Sequence, residues 1–172
     1  ANIQAQRMSM SGMGFTGSDI GGFAEQPSAE LYARWIQLGV FHPFCRTDSS
    51  GDHGDQEPWS FNEEVVDITR KFVELRYQLL PYLYTMFWEY INDGVPMLKP
   101  LVYFDQEDAQ THYRTDEFIF GNQILVCPIL EPNAIGRRVY LTKGNWYNYW
   151  TNELVSGGKE LYVATDYDQI PI

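Results

Sequence analysis

Two carboxylates and one guanidinium carry most of the site chemistry that this 172-residue sequence offers. Asp19 follows the run Ser11-Gly12-Met13-Gly14-Phe15-Thr16-Gly17, which is apolar and punctuated by glycine, and it precedes Gly21-Gly22. The run reads as a buried strand ending in a flexible loop. In α/β folds ligands sit in the loops after the carboxyl ends of strands, and paired glycines let a ligand or a neighbouring chain approach the backbone. The plainer reading of Asp19 is a turn aspartate that accepts hydrogen bonds from nearby amides. Arg46 and Asp48 follow a second apolar run, residues 40–45. Successive strands that both end in charged groups direct those groups to one rim of a parallel sheet. Carboxylates accept and arginine donates in fixed geometry, which suits a polyhydroxyl ligand. The alternative is an Arg46–Asp48 ion pair that ties down a loop.

Other polar clusters are less specific. Gly51-Asp52-His53-Gly54-Asp55-Gln56-Glu57 is rich in oxygen ligands but departs from the spacing of a helix-loop-helix calcium loop, so it reads as an ordered loop at a pocket mouth. Trp146-Tyr147-Asn148-Tyr149-Trp150 could form a sugar platform, and packing between sheets explains it at least as well. His42 and His112 have no partner at triad or metal spacing and read as structural. Cys45 and Cys127 read as buried free thiols.

The elements that must position these groups follow from periodicity. Residues 1–10 read as a helix with no capping residue ahead of it. Pro27 and Ser28 open a helix whose Leu31, Trp35 and Leu38 share a face, with Gly39 as a left-handed stop. Residues 40–45 form the second strand. Asn62 caps a long helix with Val65, Ile68, Phe72, Leu75 and Leu79 on one side; Pro81 breaks or kinks it, and Gly94 ends it. From about residue 101 the runs 118–120, 123–129, 138–141, 146–150 and 159–164 read as antiparallel strands, separated by turn signals at 132–133, 143–145 and 157–158. The expected fold class is α/β followed by all-β, with domains at residues 1–100 and 101–172.

A net charge of −11 with no Lys/Arg run repels phosphate backbones and anionic lipid, which argues against nucleic-acid and membrane partners. No stretch approaches the roughly 20 apolar residues that span a bilayer, and no compartment is indicated. Both ends read as interior to a longer chain.

The runs Phe15-Thr16-Gly17-Ser18-Asp19-Ile20-Gly21-Gly22-Phe23, Glu30-Leu31-Tyr32-Ala33-Arg34-Trp35-Ile36-Gln37-Leu38-Gly39 and Phe41-His42-Pro43-Phe44-Cys45-Arg46 strongly resemble glycoside hydrolase family 31, the family of α-glucosidases, α-xylosidases and related transglucosylases. The resemblance continues through Gln56-Glu57-Pro58-Trp59, Leu75-Arg76-Tyr77-Gln78-Leu79-Leu80-Pro81-Tyr82-Leu83-Tyr84 and Phe120-Gly121-Asn122-Gln123-Ile124-Leu125-Val126-Cys127-Pro128. It implies the seventh and eighth strands of a (β/α)8 TIM barrel with their helices, then part of an antiparallel β-sandwich domain. A whole barrel needs about 200 residues or more, so most of it lies outside this sequence.

The resemblance also implies a retaining mechanism, with two carboxyls about 5 Å apart acting as nucleophile and acid/base. Both would precede Ala1, so no catalytic residue is expected in this chain. Asp19, Phe23 and Arg46 would bind the sugar of the cleaved residue. Asp48 stands where most relatives carry a histidine that donates to the sugar, and an ionised aspartate only accepts. Pairing with Arg46, an altered sugar preference and a weakened homologue are the readings left open.

The expected function is therefore a segment of a retaining glycosidase that cleaves α-glucosidic bonds in oligosaccharides. It would contribute substrate-orienting groups, be inactive alone, need the rest of the parent barrel, and use no cofactor and no metal. Transglucosylase or α-xylosidase activity is the rival within the family. A non-catalytic carbohydrate-binding module is the rival from another class.

Overall fold

The computed structural model describes residues 1–51 and 54–172. The chain forms two compact units, Ala1–Met97 and Leu98–Ile172.

The first unit contains helices α1 (Asn2–Met10), α2 (Ala29–Gly39) and α3 (Glu63–Asp93). Helix α2 starts where Ser28 accepts from the Leu31 amide at 3.1 Å, and α3 starts where Asn62 accepts from the Val65 amide at 2.9 Å. Each cap satisfies one of the amides that a helix start leaves unpaired. Val65, Ile68, Phe72 and Leu75 form the buried stripe of α3, as their spacing requires. Gly94 ends the helix with φ of 70°.

Four expectations need correction. Pro81 lies inside an unbroken α3: lacking an amide hydrogen it removes one rung, and the turns on either side carry the helix through. Gly39 belongs to α2 and does not adopt a left-handed stop; a Cβ there would lie 2.6 Å from the Ile20 side chain, so glycine makes room for packing. Leu31 is exposed, and the face that α2 buries runs through Tyr32, Ala33 and Ile36. Finally, neither residues 11–17 nor residues 40–45 form a regular strand. They are extended or turn-like segments joined at a single parallel bridge between Asp19 and Arg46. The Phe44 amide donates to the Thr16 carbonyl at 3.1 Å and the Ile20 amide to the Arg46 carbonyl at 2.9 Å. At Gly17 the backbones come so close that a Cβ would stand 1.8 Å from the Phe44 carbonyl oxygen.

Arg76, from the middle of α3, holds the segment that leads to Arg46. Its guanidinium donates to the carbonyls of Val40, His42 and Pro43 at 2.6, 2.7 and 2.9 Å. This turn has no sheet ladder, and arginine supplies the donors that its carbonyls need. His42 is fully buried; desolvation first, with Arg76 adding to it, pushes its pKa down, so the ring is neutral at neutral pH.

The second unit is antiparallel. Strands β1 (Leu98–Lys99), β2 (Phe118–Phe120) and β3 (Ile124–Val126) form a three-stranded sheet in that order, with Ile119 opposite Leu125. A short helix α4 (Leu101–Phe104) follows β1. β4 (Gly136–Leu141) pairs with β7 (Lys159–Ala164), and β5 (Asn145–Tyr147) with β6 (Leu154–Ser156). The run 146–150 is thus shorter as a strand than its composition implies: after Tyr147 the Asn148 side chain caps a turn, accepting from the Trp150 amide at 2.9 Å.

Glu117, whose side chain is fully buried, joins β2 to β4 by accepting from the Tyr140 amide at 3.1 Å, and Arg137 and Arg114 lie 3.4 and 3.8 Å away. Burial, then Asp116, push its pKa up to about 7, while the two arginines pull it back.

Two outcomes follow. In the full-length protein, Arg76→Leu leaves three carbonyls without their donors and lowers unfolding stability by about 3 kcal/mol or more, measured by urea denaturation; a loss below about 1 kcal/mol contradicts the role given to Arg76. Because the folded state raises the Glu117 pKa from 4.5 to about 7, this group's contribution is greatest below pH 4.5 and declines as pH rises to about 7. Glu117→Gln cannot ionise, so the difference in denaturation midpoint between variant and wild type grows in the variant's favour across that window; a constant difference contradicts it.

Candidate functional site

The parallel bridge brings three of the four expected site residues into contact. Arg46 Nε donates to Asp19 Oδ1 at 2.7 Å, and the same guanidinium reaches Asp48 Oδ2 at 3.0 Å. Arg46 also lies over the Phe44 ring, 5.2 Å from its centroid. The bond to Asp19 is the main cause that strengthens the protonated form of Arg46. The side chains of Arg46, Asp19 and Asp48 are 48%, 23% and 43% exposed, so solvent screens the pairs and they add little stability. Their value is orientation. One cation between two anions leaves a net negative rim with guanidinium donors and carboxylate acceptors still facing water, which is the set that ring hydroxyls engage.

Asp48 pairs with Arg46, one of the three readings its position left open. Phe23 lies in the same turn as Asp19. The Gly22 amide donates to the Asp19 carbonyl at 3.0 Å, and Gly21 and Gly22 have φ of 91° and 92°. A side chain is disfavoured at both angles, and a Cβ on Gly21 would lie 3.0 Å from Gln56 and 3.1 Å from Tyr32. The Ser50 amide donates to the Phe23 carbonyl at 3.0 Å, which fastens the segment after Arg46 to the segment after Asp19. The Phe23 ring itself is half exposed.

Residues that sequence reasoning did not assign to the site hold this turn. The Trp35 indole donates to Ser18 Oγ at 3.1 Å, and the Gln56 amide donates to the Gly22 carbonyl at 3.1 Å. From the sequence Trp35 reads as helix packing, and Gln56 as part of the loop at a pocket mouth and of a family motif. A readable signal existed for Arg76, a charged residue beside the apolar stripe of α3.

The remaining candidates resolve simply. Asp52 and His53 lie outside the described residues, and with them any test of the 51–57 loop as a ligand set. Among the described residues no group of three His, Cys, Asp or Glu side chains is placed to hold a metal ion, and no helix is long and apolar enough to cross a membrane. Trp146 and Trp150 turn their indoles to the Thr142 and Ile170 carbonyls, at 2.9 and 2.8 Å, and act as packing groups. An apolar cavity of about 300 Å³ in the second unit is bordered by Trp146, Val139, Leu161 and Pro171, and no carboxylate borders it among the described residues. Cys45 and Cys127 are free thiols, Cys127 buried.

Residues 1–86 match the TIM-barrel domain of glycosyl hydrolases family 31, and residues 94–172 match the C-terminal domain of that family. The chain belongs to glycoside hydrolase family 31. It is 40% identical over 165 residues to Alpha-glucosidase 2 of Bacillus thermoamyloliquefaciens, covering 96% of this chain and 21% of that protein. It is 36% identical over 184 residues to an Alpha-xylosidase of Saccharolobus solfataricus, covering 100% of this chain and 25% of that protein. Among solved structures, the family 31 dextranase of Flavobacterium johnsoniae complexed with glucose superposes with a TM-score of 0.90 at 32% identity, covering 97% of this chain and 21% of that one. The chain thus spans about a fifth to a quarter of the length of these proteins.

Proposed function

We propose that this chain is the substrate-orienting part of a retaining glycosidase that hydrolyses α-glucosidic bonds in oligosaccharides. Residues 1–100 supply the last part of the catalytic barrel and residues 101–172 the first part of the following β-sandwich domain. Asp19, Arg46, Asp48 and Phe23 form the sugar-binding rim. The observation that carries this reading is the Asp19–Arg46 contact at the bridge, which sets an acceptor and a multiple donor side by side at the ends of two parallel segments.

In this reading the reacting pair belongs to the part of the barrel that precedes Ala1. One carboxylate attacks the anomeric carbon while the other protonates the leaving oxygen, and water then discharges the covalent glycosyl-enzyme with the second group acting as base. This chain's groups act on the other face of the problem. Asp19 accepts from ring hydroxyls, Arg46 donates to them and keeps Asp19 in place, and Phe23 offers an apolar edge. Holding the pyranose in one pose converts binding into proximity, and no organic cofactor is required for that chemistry.

The relatives include an α-glucosidase and an α-xylosidase, and the F. johnsoniae dextranase has been captured with glucose and, as a variant, with isomaltotriose. These names support an α-linked oligosaccharide as substrate. The α-xylosidase relative supports α-xylosidase activity as the second reading.

The test uses the full-length protein with maltose, isomaltose and an α-xyloside. The expected outcome is hydrolysis with retained anomeric configuration by NMR, and a fall in kcat/KM of about 10- to 100-fold for Asp19→Asn, the loss of a charge-assisted hydrogen bond. Turnover within twofold of wild type in that variant overturns the role of Asp19.

A further inference from the structure

The segment from Asp19 to Phe23 has neither helix nor ladder beyond one bridge, so its backbone groups need partners from elsewhere in the chain. Gln56 supplies one across 34 residues of sequence. Its side chain is deeply buried, with the residue only 7% exposed, and Nε2 donates to the Gly22 carbonyl at 3.1 Å. Oε1 is buried as well, accepts from no donor among the described residues, and sits 3.0 Å from the place a Cβ of Gly21 would occupy. The amide has one workable orientation, because the reverse would set Oε1 against the Gly22 oxygen. A return contact crosses the same gap: Gln26 Nε2 donates to the Asp55 carbonyl at 3.2 Å. Gln56 also stands on firm ground. The chain passes from it through the turn Pro58–Ser60 to the Asn62 cap of α3, and Phe61 stacks on Tyr32 with ring centroids 4.7 Å apart.

We propose that Gln56 is a positioning residue that sets the Asp19–Phe23 turn through the Gly22 carbonyl, and thereby fixes where the Asp19 carboxylate and the Phe23 ring meet the sugar. The proposal rests on the reading of that turn as part of the sugar site. Gln56 touches no substrate. It acts by donating to a backbone oxygen that the two left-handed glycines turn away from every regular partner.

The experiment compares wild type, Gln56→Glu and Gln56→Ala in the full-length protein. An ionised carboxylate has the shape of the amide but no proton to donate, so Gln56→Glu raises KM for maltose about tenfold near pH 8 with kcat within about threefold. On acidification the substituted carboxyl takes up a proton and can donate again, so the KM ratio to wild type falls below about threefold near pH 5. Lost packing alone gives a ratio that does not change with pH, and that result overturns the proposal, as does a KM within twofold of wild type throughout. Hydrogen exchange provides a reading independent of catalysis. In Gln56→Ala the amides of residues 18–26 exchange about tenfold faster while those in the middle of α3 do not change; unchanged exchange at 18–26 also overturns it. If the wild-type protein turns over no α-glucoside, the functional reading above has failed, and the exchange comparison still decides the role of Gln56.

Discussion

The first unit is organised around one short parallel seam. Residues 16–20 and 44–46 meet at two backbone hydrogen bonds and at the Asp19–Arg46 ion pair, and little else about these segments is regular. A seam this short cannot hold itself. Arg76 fixes the carbonyls just before Phe44, Gly17 admits the close approach, and Trp35 and Gln56 fix the chain on either side of Asp19. Buried and half-buried side chains thus do for the backbone what neighbouring strands do in a complete sheet. The consequence is that an exposed, weakly stabilising ion pair is held in a defined place.

Much of this was legible in the sequence where the signal was local. Ser28 and Asn62 read as caps because a short polar side chain before an apolar period has a specific amide to accept, and Gly94 read as a stop because only a left-handed residue closes α3 there. Asp19 and Arg46 were legible as rim residues because each ends an apolar run. The errors share a cause. Gly39 was read for its backbone freedom, whereas its lack of a side chain serves Ile20, a residue far away in sequence. The two apolar runs read as buried strands, yet Met13 and Phe15 of the first are exposed, and residues 40–43 of the second are buried without a ladder. Gln56 and Arg76 act on backbone atoms more than thirty residues distant, and no local pattern encodes such a partner.

The second unit shows the same division. Its strands follow from β-branched and aromatic runs with glycine turns between them, but β1 and β6, short and unremarkable in composition, escaped notice. The aromatic run near residue 147 invited a functional reading, and its two indoles instead satisfy backbone carbonyls. The buried Glu117, flanked by Arg114 and Arg137, gives this unit a polar tie between β2 and β4 whose charge costs more as it ionises. Family membership says what class of enzyme uses such a pair of units, while the geometry shows which charged groups of this chain meet at the seam.

The most direct test of the account is a crystal structure of the full-length protein with a bound glucose or maltose. The account predicts that the Asp19 carboxylate and the Arg46 guanidinium both lie within about 3.2 Å of hydroxyls on one pyranose ring, with the Asp19–Arg46 contact intact. A sugar held in the barrel by other groups, with Asp19 and Arg46 paired to each other and out of reach of it, would contradict the account.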